Sequence, residues 1–78
     1  MERLHIGDLV EFTRSYTYFD IPVGEMATVA YIEGSQQEIV WVKMENKKFK
    51  GFPEGCRACD GRVVSGLVDA LRVQVKLL

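Results

Sequence analysis

The 78 residues include one histidine, two cysteines and two prolines, and no apolar run approaches the roughly 18 residues that would mark a membrane-crossing helix. Each shortage excludes a class of function. His5 has no serine or cysteine in a recognisable nucleophilic arrangement, no glycine-rich phosphate loop is present, and the carboxylates have no identifiable reaction partner. The expectation is a protein that is not an enzyme. The opening MERLHIGDLVEFTRS carries charges throughout, so the chain reads as neither secreted nor membrane-associated, with a cytoplasmic location as the default. Repeats, low-complexity tracts and linker-like Pro/Gly/Ser runs are also missing, and residues 1–78 read as a single domain.

A chain of this length builds one hydrophobic core, and its small stabilising surplus weighs against an elaborate catalytic geometry. Hydrophobic residues at 47% and charged residues at 27% are ordinary for a globular domain and too apolar for intrinsic disorder. The net charge of -1 hides an asymmetry: residues 1–42 carry two basic and seven acidic side chains, residues 43–78 eight basic and four acidic. A polarised surface favours a directional contact over general polyanion binding.

The grammar of the chain is that of short strands. Leu9–Phe12 follows the turn signal Gly7-Asp8, and a loop from Arg14 to Pro22 is crowded with Tyr16, Tyr18 and Phe19. Pro22 and Gly24 introduce a second strand over Met26–Ile32, rich in the β-branched and aromatic residues that suit a pleated surface. The polar stretch Glu33–Gln37, with Gly34 for positive φ, predicts a hairpin into Ile39–Met44. That third strand has no clean polar face, which predicts a central position, with Trp41 in the core. Residues 45–62 form a long irregular excursion, and Ser65–Ala70 reads as a short helical or 3₁₀ turn. Alternation over Leu71–Leu77 predicts a half-buried strand with Leu71, Val73, Val75 and Leu77 inward and Arg72, Gln74 and Lys76 outward. The expected fold is mostly β, a small SH3-like barrel of about five short antiparallel strands.

Three segments carry a resemblance: Gly7-Asp8-Leu9-Val10-Glu11-Phe12, Ile21-Pro22-Val23-Gly24-Glu25-Met26-Ala27-Thr28-Val29 and Ile39-Val40-Trp41-Val42-Lys43. Together they resemble the pattern of KOW-like and related SH3-like barrels over roughly half the chain, and the whole is similar to short SH3-like proteins of phages and bacterial mobile elements. That resemblance implies an accessory protein that engages a host component, including inhibition of a host defence complex. Ala27 stands where a KOW-type pattern has glycine, which weakens the case for close approach of backbone to nucleic acid at that turn.

Three features carry chemistry. Cys56-Arg57-Ala58-Cys59 has the spacing with which two thiolates ligate one zinc at about 2.3 Å, but it supplies half a site, with His5 the other strong candidate ligand and dimerisation a way to complete four thiolates. The plainer reading is a loop disulfide or two free thiols, reduced in a reducing cytosol. Lys43, Lys47, Lys48, Lys50, Arg57 and Arg62, interleaved with Phe49 and Phe52, have the composition of a single-strand nucleic-acid groove, weighed against a solvated loop anchored to the core by its two phenylalanines. Tyr16, Tyr18 and Phe19 are candidate anchors for a protein partner, one or two of them turned inward to close the barrel. A protein-binding module through Tyr16, Tyr18, Phe19, Lys47, Lys48, Phe49 and Lys50 is the leading expectation. A nucleic-acid binder using 43–62 and a zinc-stabilised structural protein are the alternatives, and exposed edges make a homodimer a further expectation.

Overall fold

The computed structural model describes residues 2–56 and 64–78. Five strands form one antiparallel sheet: β1 (Leu9–Phe12), β2 (Met26–Glu33), β3 (Ile39–Met44), β4 (Val68–Leu71) and β5 (Val75–Leu77), in the order β4-β3-β2-β1-β5. The mostly β expectation with about five short antiparallel strands is what the chain adopts. Period-two alternation sends Val10 and Phe12 of β1, Ala27 and Val29 of β2, Val40, Val42 and Met44 of β3, and Val68 and Ala70 of β4 into one core. Val75 of β5, Leu4 of the N-terminal segment and Ile21 of the β1–β2 connection complete it. Ala27 is fully buried within β2, where its methyl group serves packing.

β2 is long enough to serve two surfaces because its register against β3 shifts between Val29 and Tyr31. The extra residue reverses which side of the strand faces the core: Val29 points in before the irregularity and Ile32 packs on the core after it, while Ala30 and Tyr31 face a second, smaller cluster around Cys56 and Leu67. The hairpin between β2 and β3 is where the polar run Glu33–Gln37 places it, with Gly34 at φ +94°. Gln37 is also left-handed and is buried, its amide accepting from Leu4 N–H at 2.8 Å and donating to Leu4 C=O at 2.8 Å. These reciprocal bonds satisfy the backbone of the N-terminal segment where it enters the core.

The C-terminal run departs from its alternation. Within Ser65–Ala70 the chain turns at Ser65–Gly66 and is already strand from Val68, and a 3₁₀ turn falls at Arg72–Gln74, splitting the expected single strand in two. The expected faces invert over Leu71–Val73, with Leu71 and Val73 exposed and Arg72 buried, while Val75 and Leu77 face the core and Lys76 faces outward as the alternation predicts. Arg72 reverses the hydropathy rule because carbonyls surround it: its guanidinium donates to Val75 C=O at 2.8 Å and to Glu2 C=O, while its N–H reaches Glu38 C=O at 2.9 Å. Gln74 closes the corner by accepting from Leu71 N–H at 2.8 Å. The corner thus carries the chain from one edge strand, β4, to the other, β5.

The described part of the excursion after β3, residues 45–56, is held by backbone pairing. Phe52 pairs with Leu67 and Cys56 with Val64 in antiparallel bridges, so its described part folds back along the approach to β4 as a narrow arm. Gly55, at φ +62°, permits this, since a side chain there would overlap the Val64 carbonyl.

Candidate functional site

The aromatic residues from three separate segments converge. Tyr18 packs edge-on against Phe19 at 4.8 Å between ring centroids, Phe19 against Phe52 at 4.9 Å, and Tyr16 against Phe19 at 5.3 Å. Phe52 also meets Tyr18 at 5.9 Å and Trp41 at 6.2 Å. Edge-to-face pairs of this kind add about 0.5–1.5 kcal/mol each beyond area burial and make a stiff platform.

The loop that brings Tyr18 there is fixed by its neighbours. Thr17–Phe19 form a 3₁₀ turn that ends at Asp20 in the left-handed region, and Tyr16 and Ile21 bond each other's backbone on either side. Tyr16 and Phe19 lean on the main core, while Tyr18 is 72% exposed. The Tyr16 hydroxyl donates to Asp69 Oδ1 on β4 at 2.5 Å. Burial first, then that hydrogen bond and the Asp69 charge, hold the Tyr16 phenol above the ordinary tyrosine range, so it stays a neutral donor.

Between this loop and the outer faces of β3 and β4 runs an open groove of about 370 Å³ lined by Ser15, Tyr16, Thr17, Tyr18, Ile39, Asp69, Leu71 and Gln74. It offers exposed apolar surface at Tyr18 and Leu71 beside amide, hydroxyl and carboxylate groups. This is the chemistry of a surface that seats a side chain and bonds a backbone.

Of the basic cluster, Lys43, Lys47 and Lys50 border a second hollow of about 190 Å³ with Met44, Phe49, Ser65 and Gly66. None of these three lysines is ion-paired among the described residues, where the ion pairs are Lys76–Glu11 at 3.3 Å and the His5–Asp8 contact at 3.7 Å. Lys48 does not join them; its ammonium lies over the Phe49 ring, 5.1 Å from the centroid. The two phenylalanines of this segment also part company. Phe49 packs against the main core as expected, whereas Phe52 belongs to the aromatic platform. Trp41, expected in the core, is half-buried on the outer face, its indole N–H donating to Glu33 Oε1 at 2.9 Å.

Cys56 is completely buried against Leu67, with Tyr31 and Trp41 packed on the pair. Cys59, Arg57 and Arg62 lie outside the described residues, and among those described no group of three or more histidine, cysteine or acidic side chains comes together. His5 is exposed at the Gly7-Asp8 turn, its backbone N–H donating to Asp8 Oδ2 at 2.8 Å. Among the described residues no helix is long and apolar enough to cross a membrane.

Ile39, Asp69, Leu71 and Gln74 belong to the groove without having been singled out in the sequence. Asp69 left one trace, a carboxylate in the otherwise apolar strand Val68–Leu71. Leu71 and Gln74 were hidden by the false alternation of the C-terminal run. No family model, curated protein or solved structure matches this chain.

Proposed function

We propose that this chain is a non-enzymatic protein-binding module on an SH3-like barrel, acting in the cytoplasm through the groove between the aromatic loop and β3–β4. The observation that carries this reading is Tyr18, held exposed by the rigid platform of Phe19, Phe52 and Trp41 at the lip of a groove that also exposes Leu71. A pre-ordered aromatic anchor binds with little entropic loss. The SH3-like part of the proposal draws support from the meander order β4-β3-β2-β1-β5 and the 3₁₀ turn before the last strand. The resemblance to phage and mobile-element proteins extends it to an accessory protein that engages a host component, such as a defence complex.

The test is affinity capture from bacterial extract with the wild type and with a Tyr18→Ala/Leu71→Ser variant, quantified by mass spectrometry. A partner enriched by the wild type and lost by the variant, at unchanged melting temperature, supports the module. Equal enrichment by both proteins would move the binding surface elsewhere. The nucleic-acid reading retains one observation in its favour, the hollow bordered by Lys43, Lys47 and Lys50. Binding to single-stranded DNA that steepens as salt falls and disappears when these lysines are neutralised would install it instead.

A further inference from the structure

β3 joins the two surface features. Ile39, Trp41 and Lys43 alternate along the strand and share its outer face: Ile39 lines the aromatic groove, Trp41 meets Phe52 in the platform, and Lys43 borders the lysine hollow. At about 3.3 Å per residue the two ends of that row are roughly 13 Å apart, the reach of four to five residues of extended chain. The charges at the ends differ. Asp69 is the charged residue lining the groove, and its Oδ1 is already engaged by Tyr16, whereas the hollow is bordered by three exposed lysines without carboxylate partners among the described residues.

Three lysines that border one hollow without a carboxylate partner among the described residues favour an anion that joins them. The nearest acidic neighbour in sequence, Glu45, is committed elsewhere, its Oε1 accepting from the Thr28 hydroxyl at 2.7 Å. Phe49 and Met44 add apolar lining to the same hollow.

We propose that the occupant of this face is an extended segment of a protein partner with two determinants: an apolar or aromatic side chain in the groove beside Tyr18 and Leu71, and a cluster of carboxylate groups about four residues away at Lys43, Lys47 and Lys50. The inference rests on the protein-binding reading above and adds the charge of the partner. It predicts a ligand of opposite sign to the lysine hollow, although the protein itself is slightly acidic overall.

The experiment is a ¹⁵N chemical-shift titration of the whole chain with three capped synthetic peptides that share a Leu-Tyr anchor and a two-residue spacer and end in three glutamates, three glutamines or three lysines. A fourth titration uses a twelve-nucleotide oligothymidylate. The glutamate peptide is expected to shift amides of Tyr18, Ile39 and Leu71 together with Lys43, Lys47 and Lys50, and to bind about tenfold more tightly than the glutamine peptide at low salt, as three exposed charge contacts allow. Neutralising the lysines (K43Q/K47Q/K50Q) is expected to erase that preference while leaving the shifts at Tyr18 and Leu71.

A lysine peptide that binds at the groove as well as or better than the glutamate peptide overturns the acidic-partner inference and leaves the protein-binding reading standing. Peptides that shift nothing at Tyr18, Ile39 or Leu71 overturn both. Oligothymidylate that occupies the lysines more tightly than the glutamate peptide also overturns the inference, in favour of nucleic acid.

Discussion

Replacing Tyr16 by phenylalanine removes one oxygen atom and tests whether the aromatic loop is tied to the sheet as described. The hydroxyl donates to Asp69 Oδ1 at 2.5 Å across 53 residues of sequence, and its ring leans on the core, where the phenylalanine ring retains the packing. A hydrogen bond to a charged acceptor contributes about 1.5–3 kcal/mol. The pair is only partly buried, so water reaches Asp69 in the variant and the loss falls at the lower end, about 1.5 kcal/mol. For a domain of this size that corresponds to a fall in Tm of roughly 6–12 °C, measurable by circular dichroism. Combining the substitution with Asp69→Asn should give less than the sum of the two single effects, with a coupling of about 1 kcal/mol.

The pH dependence has a defined sign. The folded phenol ionises at a higher pH than an unfolded tyrosine, so its contribution is whole below about pH 10, where tyrosine titrates in the unfolded chain, and is lost as pH rises toward the folded value. The difference between wild type and Tyr16→Phe should therefore stay flat from neutral pH to about 9 and shrink above about 10. Equal stabilities at neutral pH, or additive effects of the two substitutions, would refute the loop-to-β4 tether.

Three further substitutions probe the frame that holds the groove. Gln37→Ala orphans the buried N–H and C=O of Leu4, costing about 3 kcal/mol in urea unfolding, with Gln37→Glu intermediate because it keeps the acceptor. Arg72→Met preserves the aliphatic stem but strips the donors from Val75 and Glu2; it should lower stability by about 2 kcal/mol and raise amide exchange in β5. Gly55→Ala places a methyl against the Val64 carbonyl and strains φ +62°, so the arm should open and the Cys56 thiol should react faster with a thiol reagent.

The strands were legible where hydropathy and turn chemistry agree. Gly7-Asp8, Gly24 and the polar run after β2 marked real boundaries, because positive φ and loop polarity are local requirements. The C-terminal run misled because perfect alternation over Leu71–Leu77 describes a strand only if the backbone stays extended. A buried guanidinium satisfied by carbonyls, including one from residue 2, bends it into a 3₁₀ corner, and no local pattern reports a partner 70 residues away. Tyr18 was readable as an anchor from its crowded loop. Its platform was not, since Phe52 meets Tyr18 and Trp41 only through the fold of the arm after β3. Lys47 and Lys50 were legible as a basic cluster, but their separation from Lys48 depends on which way each side chain leaves the turn.

The most direct test of the central claim is photo-crosslinking in bacterial cells with benzoylphenylalanine placed at Tyr18 and, as an exposed control, at Ile6. A discrete, nuclease-resistant crosslink to a protein is expected from position 18, absent from position 6 and abolished by Leu71→Ser. Crosslinks that nuclease removes, or that form equally from both positions, would contradict a protein-binding groove at Tyr18.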